Sequence, residues 1–275
     1  MPRVALFQAN SGIDPAANSR ALADAIAAAA EGGAQMLFTP EMSGLLDRDA
    51  ARARGNLYPE PDDPVLAACR EAALKHRIWL HLGSLGVLVD GGKVANRGFV
   101  IDAEGAIRGR YDKIHLFDVD LPTGESWRES NTYSPGTSVA LVDGTPVGKL
   151  GLTICYDLRF PALFARLAEA GADVIAVPAA FTVPTGTAHW HVLLRARAIE
   201  AGLFVVAAAQ SGCHEDGRET FGHSLVADPW GEVVLDMGEG TSVGFADIDL
   251  ARIAEVRSRI PALDHRRPIP DPVAN

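Results

Sequence analysis

The chain has 275 residues, 48% of them hydrophobic and 22% charged, which suits one or two folded domains and excludes wholesale disorder. With 25 basic residues against 35 acidic ones the net charge is −10, and that disfavours a nucleic-acid surface, because phosphate binding needs a basic face. Three widely spaced cysteines (Cys69, Cys155, Cys213) argue against a disulfide framework, and no apolar run reaches the ~18 residues that a membrane span needs.

Taken in chain order, Val4–Gln8 is a short apolar strand, reached from Met1 without a signal peptide's long apolar region. Asn18–Ala30 is an Ala-rich helix stopped by Gly32-Gly33, and Met36–Thr39 is a strand ended by Pro40, with Glu41 next. Pro64–His76 is a helix with proline at its start. Ile78–Gly83 and Leu85–Val89 are strands before the turn Asp90-Gly91-Gly92, and Gly98–Asp102 and Ile107–Tyr111 flank a second turn at Glu104-Gly105. Residues 116–137 are patternless and read as a long ordered loop, a feature that is usually functional inside a compact domain.

Val147–Cys155 is then a strand and Ala162–Ala170 the helix after it. Asp173–Pro178 is a buried strand, Ala188–Ala201 a helix and Leu203–Ala209 a strongly apolar strand. His223–Ala227 and Glu232–Asp236 flank the turn Asp228-Pro229-Trp230-Gly231, and Val243–Ile248 and Leu250–Arg259 close the series. Strands and helices alternate in both halves, which predicts an α/β domain with mixed sheets over residues 1–265 and an extended, proline-containing tail over 266–275. The expectation is a soluble cytoplasmic protein without a membrane or nucleic-acid partner. Gly33–Glu41 and Gly171–Ala180 read alike, but no short repeat is present.

Three residues stand at strand ends with side chains suited to chemistry. Cys155 closes an apolar run at a strand-to-helix turn, where backbone N–H groups and a helix dipole lower a thiol's pKa and bind an oxyanion. Taken alone, a lone cysteine is more often packing than nucleophile. Glu41 follows a buried strand, where desolvation raises a carboxyl toward the range of a general base. Taken alone, Glu41 reads more readily as a helix-start or solvated loop charge and Lys113, in Tyr111-Asp112-Lys113-Ile114-His115, as a surface lysine on a strand, and Glu129 in its polar loop carries less signal still. Cys69 lies in an Ala-rich helix and reads as core, while Cys213 is incidental. His189 and His191 are two apart and do not share a helical face, which disfavours a metal pair. His115 and His223 read as hydrogen-bonded scaffold, and no Cys/His zinc spacing or papain-type signature is present.

Together, Thr39-Pro40-Glu41-Met42, Tyr111-Asp112-Lys113-Ile114-His115-Leu116-Phe117-Asp118 and Ile154-Cys155-Tyr156-Asp157-Leu158-Arg159-Phe160-Pro161 resemble the Glu, Lys and Cys signatures of the nitrilase superfamily, in order and over nearly the whole chain. The resemblance implies a single-domain αββα sandwich that pairs across its helical face into a four-layer αββα–αββα homodimer. It implies Cys155 as nucleophile, Glu41 as general base, and Lys113 with the backbone N–H of Tyr156 as oxyanion donors. Glu129 matches the family's second glutamate and would orient Lys113. No cofactor and no metal are implied.

The runs Arg195-Ala196-Arg197-Ala198-Ile199-Glu200 and Ala207-Ala208-Ala209-Gln210, with Gly222-His223-Ser224 and Asp228-Pro229-Trp230-Gly231, resemble the Nit branch, and within it the enzymes that act on deaminated glutathione more than the ω-amidases. The resemblance thus implies a thiol amidase for a small α-keto acid amide. The substrate carboxylate needs a cationic, multidentate partner. Arg159, Thr182 and Thr185 are candidates, with Phe181 beside them; Arg195 and Arg197 are rivals. Pro184 is expected to stiffen a loop between the two threonines. Two other readings stand beside this one: ω-amidase action on α-ketoglutaramate or another small amide or carbamoyl compound, and a catalytically silent scaffold that binds a partner.

Overall fold

A computed structural model describes residues 1–120, 124 and 126–272. The first half contains β1 (Arg3–Gln8), α1 (Pro15–Glu31), β2 (Met36–Phe38), a short α2 (Ala50–Arg54), α3 (Pro64–His76), β3 (Trp79–Leu88), β4 (Val94–Ile101), β5 (Ile107–Asp112), β6 (Asp118–Asp120) and β7 (Ser126–Arg128). The second contains β8 (Ala140–Thr145), β9 (Gly148–Leu152), α4 (Pro161–Glu169), β10 (Val174–Ala176), α5 (Val183–Ala201) and β11 (Phe204–Ala207). There follow β12 (Ser211–Cys213), β13 (Glu219–Phe221), β14 (Leu225–Ala227), β15 (Val233–Asp236), β16 (Ser242–Asp247) and α6 (Ala251–Arg259).

Local chemistry explains the helix starts. Asp14 accepts the Ala16 N–H ahead of Pro15, and Asp63 accepts the Val65 and Leu66 N–H groups ahead of Pro64, so orphan donors are capped where proline needs none. Leu22, Ala25, Ile26 and Ala29 then form the buried stripe of α1.

Two six-stranded sheets result, with orders β16-β1-β2-β3-β4-β5 and β15-β14-β11-β10-β9-β8. In each, three central strands are parallel (β1, β2, β3 and β9, β10, β11) and the flanking strands are antiparallel. The period-2 alternation of a strand assigns the layers. Val4, Leu6, Met36 and Phe38 join Leu150, Leu152, Val174 and Val206 in one core cluster between the sheets. Ala5, Phe7, Leu37 and Leu80 join α1 and α3 in a second. Leu163 and Phe164 of α4 and Trp190 and Leu194 of α5 cover the other sheet. The chain is an αββα sandwich and a single domain. Among the described residues no helix is long and apolar enough to cross a membrane.

The structure departs from the sequence-based expectation in several places. The strand expected to reach Cys155 ends at Leu152, and the two strands expected over 78–89 are one, β3, with a register shift between Leu82 and Leu85. Residues 116–137 are not a plain loop: β6 and β7 form a hairpin, followed by a 3-10 turn over Glu129–Asn131. Leu121 and Pro122, within that stretch, lie outside the described residues, as do residues 273–275 of the tail. Helix α5 starts at Val183 rather than Ala188, so Pro184 sits in its first turn, where proline's fixed φ suits a helix, and is not a loop stiffener. The tail begins with Arg266 paired to Glu169 of α4 at 2.7 Å.

Candidate active site

The ends of the central parallel strands of both sheets meet at one place. Gly83 of β3 is pressed there against the Thr39 and Pro40 carbonyls, and a Cβ on it would lie 2.6 Å from Pro178 Cβ of the other sheet. Glu41 follows β2, Ala180 follows β10, and Cys155 opens a 3-10 turn (Cys155–Arg159) beyond β9.

That turn holds the thiol in an unusual backbone conformation. Cys155 has φ +48°, in the left-handed region that costs L-residues about 1–2 kcal/mol. Its backbone N–H donates to Pro178 O at 2.8 Å. Fully buried Asp157 anchors the turn, accepting from Ile154 N at 2.9 Å, Tyr111 Oη at 2.8 Å and His115 N at 3.1 Å. His115 Nδ1 lies 2.7 Å from the same carboxyl group, and its ring stacks on Phe160. Asp157 therefore ties the Cys155 turn to the segment that carries Lys113.

The three candidate groups are brought together in a buried cluster. Glu41, Lys113 and Cys155 are 5%, 2% and 8% exposed. Lys113 Nζ donates to Glu41 Oε1 at 2.9 Å and to both Glu129 oxygens at 3.1 and 2.9 Å. Glu41 also accepts from Asn96 Nδ2 at 2.9 Å and from the Ala180 N–H at 3.0 Å, and the Cys155 thiol hydrogen-bonds to it. Glu129 accepts in addition from the Phe117 N–H at 2.7 Å and from Asn96 at 3.2 Å.

The ionisation pattern follows from burial and charge. Burial pushes Glu41 up, but the Lys113 charge and the bonds from Cys155, Lys113 and Asn96 outweigh it and hold the carboxyl below its ordinary value. Burial pushes Lys113 down, yet the charges of Glu129, Glu41 and Cys155 hold it well above the ordinary lysine value. Burial, then the Glu41 charge, push the Cys155 thiol well up, against the pull of Lys113. The expectations of a raised Glu41 and a lowered Cys155 are both reversed: the Lys113 ammonium and the hydrogen bonds outweigh burial at Glu41, whereas burial and the Glu41 charge outweigh the ammonium at Cys155. The resting state is thiol, carboxylate and ammonium.

A cavity of about 610 Å³ opens over this cluster. Glu41, Lys113, Glu129, Cys155, Tyr156, Arg159, Phe181, Thr182 and Thr185 all line it. Thr182 and Thr185 hydroxyls lie 2.9 Å apart at the start of α5. Arg159 is held by His189 Nδ1 at 3.2 Å and by the Tyr156 and Phe181 rings, and among the described residues no carboxylate lies within ion-pair distance of it. The rival arginines lie elsewhere. Arg197 is buried on the Leu158 carbonyl and pairs with Glu200, and Arg195 donates to Gly231 O.

Asn96, Arg218 and Trp127 were not anticipated from sequence. Asn96 bridges both glutamates from β4, a strand read as starting only at Gly98. Arg218 lies over the Trp127 ring at 5.2 Å, and both line the cavity. Cys69 is buried core, its thiol pushed by burial up to about 12. Cys213 is exposed, and its thiol donates to Glu219, whose hydrogen bond and charge push the thiol up.

Comparison with known proteins adds to this geometry. The profile of the family described as Carbon-nitrogen hydrolase matches residues 3–258. The chain is 41% identical over 238 residues to a deaminated glutathione amidase of Yersinia enterocolitica, covering 86% of this chain and 82% of that one. It is 40% identical over 272 residues to the deaminated glutathione amidase of Bos taurus, covering 98% of this chain and 83% of that one. The crystal structure of the Caenorhabditis elegans NitFhit protein superposes with a TM-score of 0.90 at 39% identity, over 97% of this chain and 65% of that one.

Proposed function

The chain belongs to the carbon–nitrogen hydrolase family and is an amidase, and we propose that its substrate is deaminated glutathione, hydrolysed to α-ketoglutarate and cysteinylglycine through a thioester on Cys155. The observation that carries this reading is the buried Glu41–Lys113–Cys155 cluster at the floor of a cavity walled by arginines.

The resting pattern suits a proton transfer timed to bond formation. As Cys155 Sγ bonds the amide carbon, the thiol becomes strongly acidic and its proton passes to Glu41, already hydrogen-bonded to it. The carbonyl oxygen becomes an oxyanion held by Lys113 Nζ and the Tyr156 N–H. Glu41 loses part of its ammonium partner at that moment, which raises its own proton affinity. Collapse breaks the C–N bond, and Glu41 returns the proton to the departing amine. Water then attacks the thioester with Glu41 as base, and the carbon–sulfur bond breaks to free the acid and the thiol. Glu129 keeps Lys113 aimed through two short contacts.

Arg159, free of any acidic partner among the described residues, is assigned the α-keto acid carboxylate, with Thr182 and Thr185 beside it. An acid partner for the protein as a whole is not needed: the cavity is basic inside an acidic chain. A homodimer formed across the helical face belongs to the same reading. Val192 and Ile199, one above the other on α5, are 67% and 52% exposed, and Trp230 is 45% exposed.

The test compares kcat/KM for deaminated glutathione and α-ketoglutaramate, with Cys155→Ala as the blank. A clear preference for deaminated glutathione is expected. A preference for α-ketoglutaramate would overturn the substrate assignment, and turnover by Cys155→Ala would overturn the nucleophile.

A further inference from the structure

His191 of α5, His223 and Asp236 of β15 form a cluster outside the cavity. His191 Nε2 lies 2.9 Å from Asp236 Oδ2, and His223 Nδ1 lies 2.9 Å from Asp236 Oδ1. One ligand-type atom from each lies within 4.8 Å of the others. From the usual zinc–nitrogen and zinc–oxygen lengths, ligand atoms in a tetrahedral site stand about 3.3 Å apart. The two imidazole–carboxylate separations lie a few tenths of an ångström under that, and the two imidazoles lie within 4.8 Å of each other.

We propose that His191, His223 and Asp236 bind one borderline transition-metal ion, Zn²⁺ or a close relative, with water completing the coordination. Two imidazoles and one carboxylate make a donor set for zinc, nickel or copper rather than for magnesium or calcium, which require oxygen ligands.

The three groups are held in advance by their surroundings. His223 has φ +54°, fixed by its N–H to the Gly238 carbonyl at 2.7 Å and by its carbonyl accepting from Trp190 Nε1 at 2.8 Å. Its ring stacks on Phe221 at 4.4 Å, and the His191 ring stands edge-on to both. The Gly238 N–H donates to Asp236 Oδ1 at 3.0 Å, which orients the carboxylate from behind, as outer partners of metal ligands do. The three side chains are 35%, 24% and 32% exposed, so an ion has access from solvent. His189, two residues before His191, turns to Arg159. His191 finds its partners across the fold instead.

The test uses the full chain carrying Cys155→Ala and Cys213→Ser, so that the two cavity-lining or exposed thiols cannot take the metal. It is stripped with a chelator and titrated calorimetrically with ZnCl₂ near pH 7.5. One ion per chain is expected, weakened more than about tenfold by His191→Ala and by Asp236→Asn. Zinc should raise the melting temperature of the parent but not of His191→Ala, and the two should melt alike without metal. Zinc binding of equal strength in all three proteins, or none in the parent at about 100-fold excess over the chain, would mean an ordinary ion-pair cluster and overturn the proposal.

Discussion

At rest, Cys155 is a neutral thiol between a carboxylate and an ammonium, and this sets the pH behaviour of the residue. Glu41 is held below its ordinary value while Lys113 and Cys155 are held above theirs. Hydrolysis should therefore show a flat kcat/KM profile between about pH 6 and 9, without the limb near neutrality that a thiolate–imidazolium pair produces; a measured limb at pH 7 would contradict the assignment. Replacing Lys113 with Ala leaves buried carboxyl groups without their cation, and should cost about 3–5 kcal/mol in denaturant unfolding as well as all turnover. His81 gives a separate acid signature. Burial pushes its imidazole down to about 3, and among the described residues its Nδ1 has no hydrogen-bond partner. The folded value lies below the unfolded one, so the unfolded chain binds the proton first. This stability is full above about pH 6.5 and drains as pH falls toward 3. A His81→Phe variant should flatten the melting temperature between pH 6 and 4 relative to the parent. The candidate triad was legible because its three sequence contexts together resemble the nitrilase signatures, whereas each residue alone reads more readily as packing or surface. Asn96 and Asp157 were not, because a polar residue acquires such a role only when distant strands bring its partners to it.

Among elements, β3 makes the tightest demand. Its Gly83 lets the β2 end, which carries Glu41, approach Pro178 of the other sheet, and a Cβ would meet two carbonyl oxygens. Gly83→Ala should lose about 1–3 kcal/mol in urea unfolding and lower kcat more than it raises KM, because the displaced group is the proposed base; full activity would refute this. The strands that carry the apolar pattern, β1, β2, β10 and β11, were legible to within two residues at each end. The β6–β7 hairpin was hidden because its three-residue strands alternate charge with single apolar residues, and the start of α5 was hidden because Val183-Pro184-Thr185-Gly186 has a loop's composition. Tertiary packing decides the latter: Phe221 lies directly over Gly186.

For the whole molecule, the parallel-core pattern occurs twice, and the site draws on both sheets. Glu41, Asn96 and Lys113 come from the first, Cys155 and Ala180 from the second. Separation of the sheets should therefore abolish hydrolysis before the helices melt. In a urea titration activity should fall at lower concentration than the far-ultraviolet dichroism, and coincident curves would count against this. The proposed dimer makes its own demand: the parent should sediment at twice the chain mass, and Val192→Glu with Ile199→Glu should sediment as the single chain. The alternation of strands and helices made the α/β class legible. The order of strands within each sheet was not, since only pairing across the fold specifies it.

The left-handed backbone at Cys155 carries a conformational cost at the position of the proposed nucleophile. A side chain there crowds its own carbonyl, so the strain belongs to the Cβ atom and not to the sulfur. Removing that atom should relieve it. Cys155→Gly, equally dead as a catalyst, should melt no lower than Cys155→Ala despite glycine's looser unfolded chain, which would make the nucleophile's position one where the protein is more robust without its chemistry.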